Sequence, residues 1–330
     1  MTMEMTWDEW KLMRKDLRRR FGQTGWILLV YYAIMNAAVG IAVFVEAMVN
    51  MMVQFSSGNF DIMEVVMDAA DGGWGYFVAA VVGMIILLLW KKPKYFREEI
   101  MEKGKPMTVG SFFAILCIFL SGQMIFQFLA TVCELLLNVF GLSMMEGLNE
   151  LSIDTDTFSL FLYAGILAPI TEEILFRGLI QRSLMPYGKK FAIFCSAFTF
   201  GIFHGSPIQS PYAFLVGLVL GYVASEYSIL WVMVLHMINN LVIADMLSRM
   251  TSGLPENIAN LIIWFVIAAF TVAAIIVAIV KRKQISDYLR QEKIPGTYFR
   301  CFFSSAGIIT LMIVMGLNML LTLFMIIKPL

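Results

Sequence analysis

Apolar residues in this chain come in long blocks, separated by short polar stretches, without the strict alternation that marks half-buried strands. Nine blocks predict helices: Trp26–Val49, Gly73–Trp90, Ser111–Val139, Phe158–Leu184, Lys190–His204, Tyr212–Glu226, Ile229–Leu247, Asn257–Val280 and Cys301–Ile327. A helix crosses the hydrocarbon core of a bilayer with roughly 17–25 apolar residues. Most of the blocks reach that length; the fifth and sixth fall short, as suits helices placed around a polar cavity. The expected fold class is all-α, a polytopic transmembrane helix bundle of about eight to nine spans. Ahead of the first block, Trp7, Trp10, Lys11, Arg14, Lys15, Arg18, Arg19 and Arg20 mix tryptophan with base, which predicts an amphipathic helix lying on the inner membrane surface. The apolar block after it is too long for a cleaved signal peptide.

This gives four regions: a basic amphipathic segment at 1–25, N-terminal transmembrane helices at 26–157, a core that carries the chemistry at 158–247, and C-terminal transmembrane helices at 248–330. Loop charge sets the expected orientation. Basic residues 11–20 are followed by an acidic loop (Asp61, Glu64, Asp68, Asp71), then Lys91, Lys92 and Lys94, then acidic Glu146, Glu150, Asp154 and Asp156, then Arg182, Lys189 and Lys190. Lys281, Arg282 and Lys283 follow the eighth block. Basic and acidic loops alternate in step with the helices, so the N-terminus is expected inside, in a membrane of bacterial plasma type.

Composition agrees. Of 330 residues, 60% are hydrophobic and 15% charged, against about 45–50% and 25% for soluble domains. The net charge is zero, so nothing marks a nucleic-acid partner. Expected partners are membrane lipids and a peptide or lipid-modified protein. The four cysteines, Cys117, Cys133, Cys195 and Cys301, are scattered through apolar runs, as buried free thiols are. Gly217 and Gly221 have the small-xxx-small spacing of closely packed helices.

Strongly polar groups interrupt the apolar helices at three places. Glu173, next to Glu172, precedes Arg177, Phe200 precedes His204, and His236 precedes Asn240, each at an i, i+4 spacing that sets the two ends on one helix face. Charges in a bilayer core are costly and mark function by default. Glu173 and Arg177 stand in the favourable order for an ion pair. Glu172, about 100° further round the helix, is left for chemistry. With about 1.5 Å of rise per residue from the basic ends, Glu172 and His204 stand about 20 Å up, Asn240 about 17 Å and His236 about 11 Å. Both histidines of the chain belong to this set. A carboxylate beside a histidine can hold a water and take its proton. A second histidine and an amide can donate to an oxyanion. Asn239 is the rival to Asn240 for that amide. Together these are the tools for hydrolysing an amide bond without a covalent intermediate. Two other classes fit intramembrane Glu, His and Arg: an ion-coupled transporter, against which no inverted repeat is visible, and a non-catalytic membrane protein that confers immunity by sequestering a peptide.

The order Glu-Glu-xxx-Arg, Phe-xxx-His, His-xxx-Asn resembles the type II CAAX prenyl endopeptidase and bacteriocin-processing family (CPBP, or Abi) over roughly residues 158–247. The resemblance implies an all-helical intramembrane protease in which Glu172 and His204 activate water and His236 with Asn240 binds the oxyanion. Glu173, Arg177 and Phe200 are supporting residues in the same motifs. No cofactor is expected. The family is often labelled as metalloproteases, and its mechanism is also described as glutamate-dependent without metal. Neither a His-Glu-xxx-His motif nor a carboxylate partner for either histidine is visible in the sequence, which argues against a metal.

Overall fold

The computed structural model describes residues 6–55, 61–95, 98, 100, 102, 104–145, 147, 157–291 and 293–330, with the backbone alone at 91–93, 243–245, 248 and 256. The acidic loop of Glu146, Glu150, Asp154 and Asp156 lies outside the described residues. The chain is an all-α bundle, with a single two-residue strand pair among the described residues, Leu142–Ser143 against Lys328–Pro329.

In chain order the helices are α1 (Trp7–Phe55), α2 (Ile62–Asp71), α3 (Trp74–Tyr95), α4 (Val109–Leu120), α5 (Gly122–Asn138), α6 (Phe158–Tyr187), α7 (Lys189–Phe203), α8 (Gln209–Glu226), α9 (Ile229–Ile238), α10 (Glu256–Val280), α11 (Arg282–Arg290), α12 (Gly296–Phe303) and α13 (Ala306–Ile326). Five described helical stretches are long and apolar enough to cross a membrane: α1, α4 with α5, α6, α10 and α13. The pair α2–α3, bent by 47°, makes six. The remaining expected spans, α7, α8 and α9, do form helices. They carry buried Ser196, Thr199, Ser210 and His236, and they pack against protein on several sides. Helices enclosed in this way need neither the length nor the uniform apolarity of a lipid-facing span.

The basic N-terminal segment is not an element apart. It is the first half of α1, which runs for 49 residues. No proline falls between Trp7 and Phe55, so nothing removes a backbone donor where the segment meets the first apolar block. One face of the segment, with Leu17, Phe21, Gly22 and Gly25, is buried in the bundle. Phe21 sits edge-on to Tyr187 at 4.8 Å and tilted against Phe191 at 5.2 Å. Where α1 crosses α13, a Cβ on Gly25 would lie 2.2 Å from the backbone of Gly307, so only glycine permits this approach.

Gly217 and Gly221 line a close contact as their spacing predicts: α8 lies along α7, with Gly217 against Ala197 and Phe200 and Gly221 against Ile193. All four cysteines are free; Cys195 and Cys301 are buried, Cys117 and Cys133 half-buried.

Candidate active site

Helix α6 is held open by its own geometry. Thr157 caps it by accepting from Leu160 N, and the helix then widens into π-turns at Tyr163–Leu167 and Ile174–Gln181. Between them the α-helical stretch Ala168–Glu173 carries Pro169 and both acids. Proline cannot donate to the backbone ladder, and here it follows directly on a turn that has already departed from the i→i−4 pattern. Such π-bulges recur at functional sites.

Glu173 and Arg177 are fully buried and paired, Nη1 donating to Glu173 Oε1 at 3.1 Å. Arg177 Nη2 donates to the carbonyl of Gly217 at 3.3 Å, and the guanidinium lies over the Phe200 ring at 4.2 Å. Phe200 gathers the rest. His204 stands edge-on to it at 4.7 Å and His236 at 6.0 Å. His204 Nδ1 bonds the carbonyl of Phe200 at 2.8 Å. This sets Nδ1 as the protonated nitrogen and leaves Nε2 to accept. Gly205, in the left-handed region at φ +61°, turns the chain directly afterwards, and Thr322 of α13 donates to its carbonyl at 3.1 Å.

His236 Nδ1 lies 2.7 Å from Glu173 Oε1, and its Nε2 lies 3.9 Å from Glu172 Oε2. Both acids therefore face the same imidazole, although successive helical residues diverge by about 100°. A third helix makes this feasible: α9 packs against the stretch that bears both acids, and its histidine reaches between them. The expectation that no carboxylate attends either histidine is thus overturned; Glu173 serves His236 as well as Arg177. Glu172 is the more open of the two acids, with 32% of its side chain exposed against none for Glu173.

Asn240 lies one turn beyond His236, where the helix widens into a third π-turn at Asn239–Met246. Its Nδ2 donates to Ala164 O on the first π-turn of α6 at 2.8 Å, which leaves one amide hydrogen. Asn239 has a different set of partners. Its Oδ1 accepts from Gln123 of α5 and Tyr212 of α8, both at 3.0 Å, and its Nδ2 donates to Asn240 Oδ1 at 3.0 Å. With Asn239 Oδ1 taken up by two donors, its amide nitrogen faces Asn240 Oδ1 and gives it one hydrogen, which turns the Asn240 donors the other way. Gln123 and Tyr212 are the residues that sequence inspection missed; an isolated Gln and Tyr in apolar helices carry no spacing signal. Tyr212→Phe is expected to lower stability by about 1–3 kcal/mol, because it strips a partner from buried Asn239 and half-buried Gln123. Thermal unfolding in detergent reads this, and an unchanged midpoint would refute it.

Among the described residues, no three His, Cys, Asp or Glu side chains come together as a metal ion would require. No step proposed below runs through a metal.

Compared with known protein families, residues 154–242 match the type II CAAX prenyl endopeptidase Rce1-like family. This stretch is an Rce1-like domain. It takes in α6 to α9 and Glu172, Glu173, Arg177, Phe200, His204, His236 and Asn240, and it leaves α1–α5, with Gln123, and α10–α13 outside. The match and the apolar helices support an integral membrane protein that carries a CAAX-protease-type domain. No curated protein and no solved structure matches the chain.

Proposed function

We propose that the chain is an intramembrane endopeptidase in which Glu172 and His204 activate a water that hydrolyses a peptide bond of a membrane-associated or lipid-modified substrate. One observation carries this reading. The open carboxylate of Glu172 stands 3.9 Å from His236 Nε2, while the buried Glu173–Arg177 pair holds that imidazole from behind. The gap is too long for a direct hydrogen bond, yet a water about 2.8 Å from each atom fits beside the line joining them.

Glu172 takes a proton from that water, and His204 Nε2 accepts its other hydrogen and orients it. The water oxygen bonds the peptide carbon, and the C=O electron pair moves onto the oxygen. Doubly protonated His236 gives Nδ1–H to Glu173 and turns its Nε2–H from the water to the oxyanion as charge develops there, with the remaining amide hydrogen of Asn240 as second donor. With Glu172 and Glu173 ionised, Arg177 and His236 bring the cluster to zero net charge. When the electron pair returns, the C–N bond breaks, and the amine leaves with the proton that Glu172 had taken. One water and one peptide bond give one carboxylic acid, which keeps the water's second hydrogen, and one amine.

The test is a panel of membrane-anchored peptides incubated with purified protein in H2(18)O. Cleavage should place one label in the new carboxylate, and His204→Ala should cut at least about 100-fold more slowly. The reading fails if wild type cuts none of the panel, or if His204→Ala cuts as fast.

A further inference from the structure

Tyrosines from three helices gather near Glu172, and the chemistry above uses none of them. Tyr163, on the first π-turn of α6, stacks on Tyr76 of α3 with ring centroids 5.4 Å apart and planes at 28°. Its hydroxyl lies within electrostatic reach of the Glu172 carboxylate and of the hydroxyls of Tyr76 and of Tyr31 on α1. Tyr31 is already engaged: it is buried, and its hydroxyl pairs with that of Thr171, the neighbour of Glu172. Tyr163 is not. Among the described residues nothing hydrogen-bonds its hydroxyl, yet the oxygen is not sealed in and keeps surface that a small group can reach. The turn that carries it is fixed. Ala164 O accepts from Asn240 Nδ2 at 2.8 Å, and a Cβ on Gly165 would lie 2.2 Å from Leu241 Cδ2.

A phenol carries its proton at neutral pH and so brings an O–H donor to the site. Tyr163 precedes Glu172 by about 13 Å of helix axis, the length of about four residues of extended chain. A peptide bond is open to attack only in a chain drawn out of its helix, and within a bilayer the carbonyls so freed find no water. A chain lying against Glu172 therefore needs donors from the protein besides the two that serve the oxyanion.

We infer that Tyr163 is a substrate-binding residue: its hydroxyl donates to a backbone carbonyl of the peptide that lies against Glu172, its ring held for this by Tyr76. The inference rests on the proposed function and adds to it a contact away from the reacting atoms. It also gives α3, outside the Rce1-like match, a part in the site.

Tyr163→Phe keeps the ring and its stack and removes only the oxygen. Binding is read first, without cleavage: dye-labelled lipidated peptides of the panel are titrated into Glu172→Gln protein, which cuts too slowly to consume them. Adding Tyr163→Phe should weaken binding by roughly three- to tenfold, the worth of one hydrogen bond, with the unfolding temperature unchanged. Where Glu172 is kept, the same change should raise KM by that factor and leave kcat nearly as it was. Replacing the peptide's amides one at a time by esters, whose carbonyls accept more weakly, locates the partner. At one position the ester should cost less with Tyr163→Phe than without it. The inference is wrong if no peptide binds, if Tyr163→Phe binds every peptide as tightly as its parent, or if the ester costs are additive at every position. If Tyr163→Phe weakens binding while the wild type cuts nothing, the contact stands and the peptidase reading falls.

Discussion

Glu172→Gln should cut peptide roughly 1,000-fold more slowly than wild type, within the range for loss of a general base, and should unfold at nearly the same temperature. The substitution keeps the shape of the side chain and removes only its basicity. Little of the fold rests on the carboxylate: it is partly exposed, and its nearest ionic partner, His236 Nε2, is 3.9 Å away, beyond hydrogen-bonding distance. The loss should fall on kcat, with KM little changed, because the carboxylate takes up its proton only as the water attacks. A Glu172→Gln protein that cleaves within a fewfold of wild type would remove Glu172 from the chemistry. One that fails to fold would show that the acid is structural. Circular dichroism and thermal unfolding in the same detergent separate the two.

That Glu173 is the acid paired with Arg177 was legible from local geometry. Glu173 and Arg177 lie one helical turn apart, so their pairing follows from sequence alone. The i, i+4 spacings of Phe200 with His204 and of His236 with Asn240 likewise set those pairs on shared faces, and the structure brings both imidazoles to the Phe200 ring. What sequence could not show is the contact between helices. That Glu173 Oε1 serves two cations depends on α9 packing across α6, and no spacing encodes this. The Gly217-xxx-Gly221 motif was legible as a close approach. The answering polar pair, Arg177 and Gln181 at the same four-residue spacing, donates to those two glycine carbonyls across the seam, and that was not.

The number of spans shows a related limit. Apolarity measures burial, not the medium that does the burying. Blocks at 190–204 and 212–226 are apolar because α7 and α8 pack on each other and on α6, and a hydropathy pattern cannot distinguish that from lipid. Gly205 shows what lies beyond the Rce1-like match: the turn that ends the His204 segment is tied down by Thr322, on a helix outside the matched residues.

Glu173→Leu should be far more damaging to the fold than Glu172→Gln, by about 3–5 kcal/mol, the range for breaking a fully buried ion pair. It leaves the Arg177 guanidinium buried without its counter-charge and takes the acceptor from His236 Nδ1. The double variant Glu173→Leu/Arg177→Met should recover much of that stability, because replacing both charges with apolar groups removes the desolvation penalty together with the attraction. Cleavage should not return with it. His236 would still lack the carboxylate that fixes its ring and balances its charge, so the double variant is expected to be folded and inactive. Unfolding midpoints for wild type, both single variants and the double form the cycle that isolates the coupling. Additive losses would show that the two side chains act independently of each other. A double variant that is both stable and active would show that the pair is only a structural tie, and that His236 needs nothing behind it.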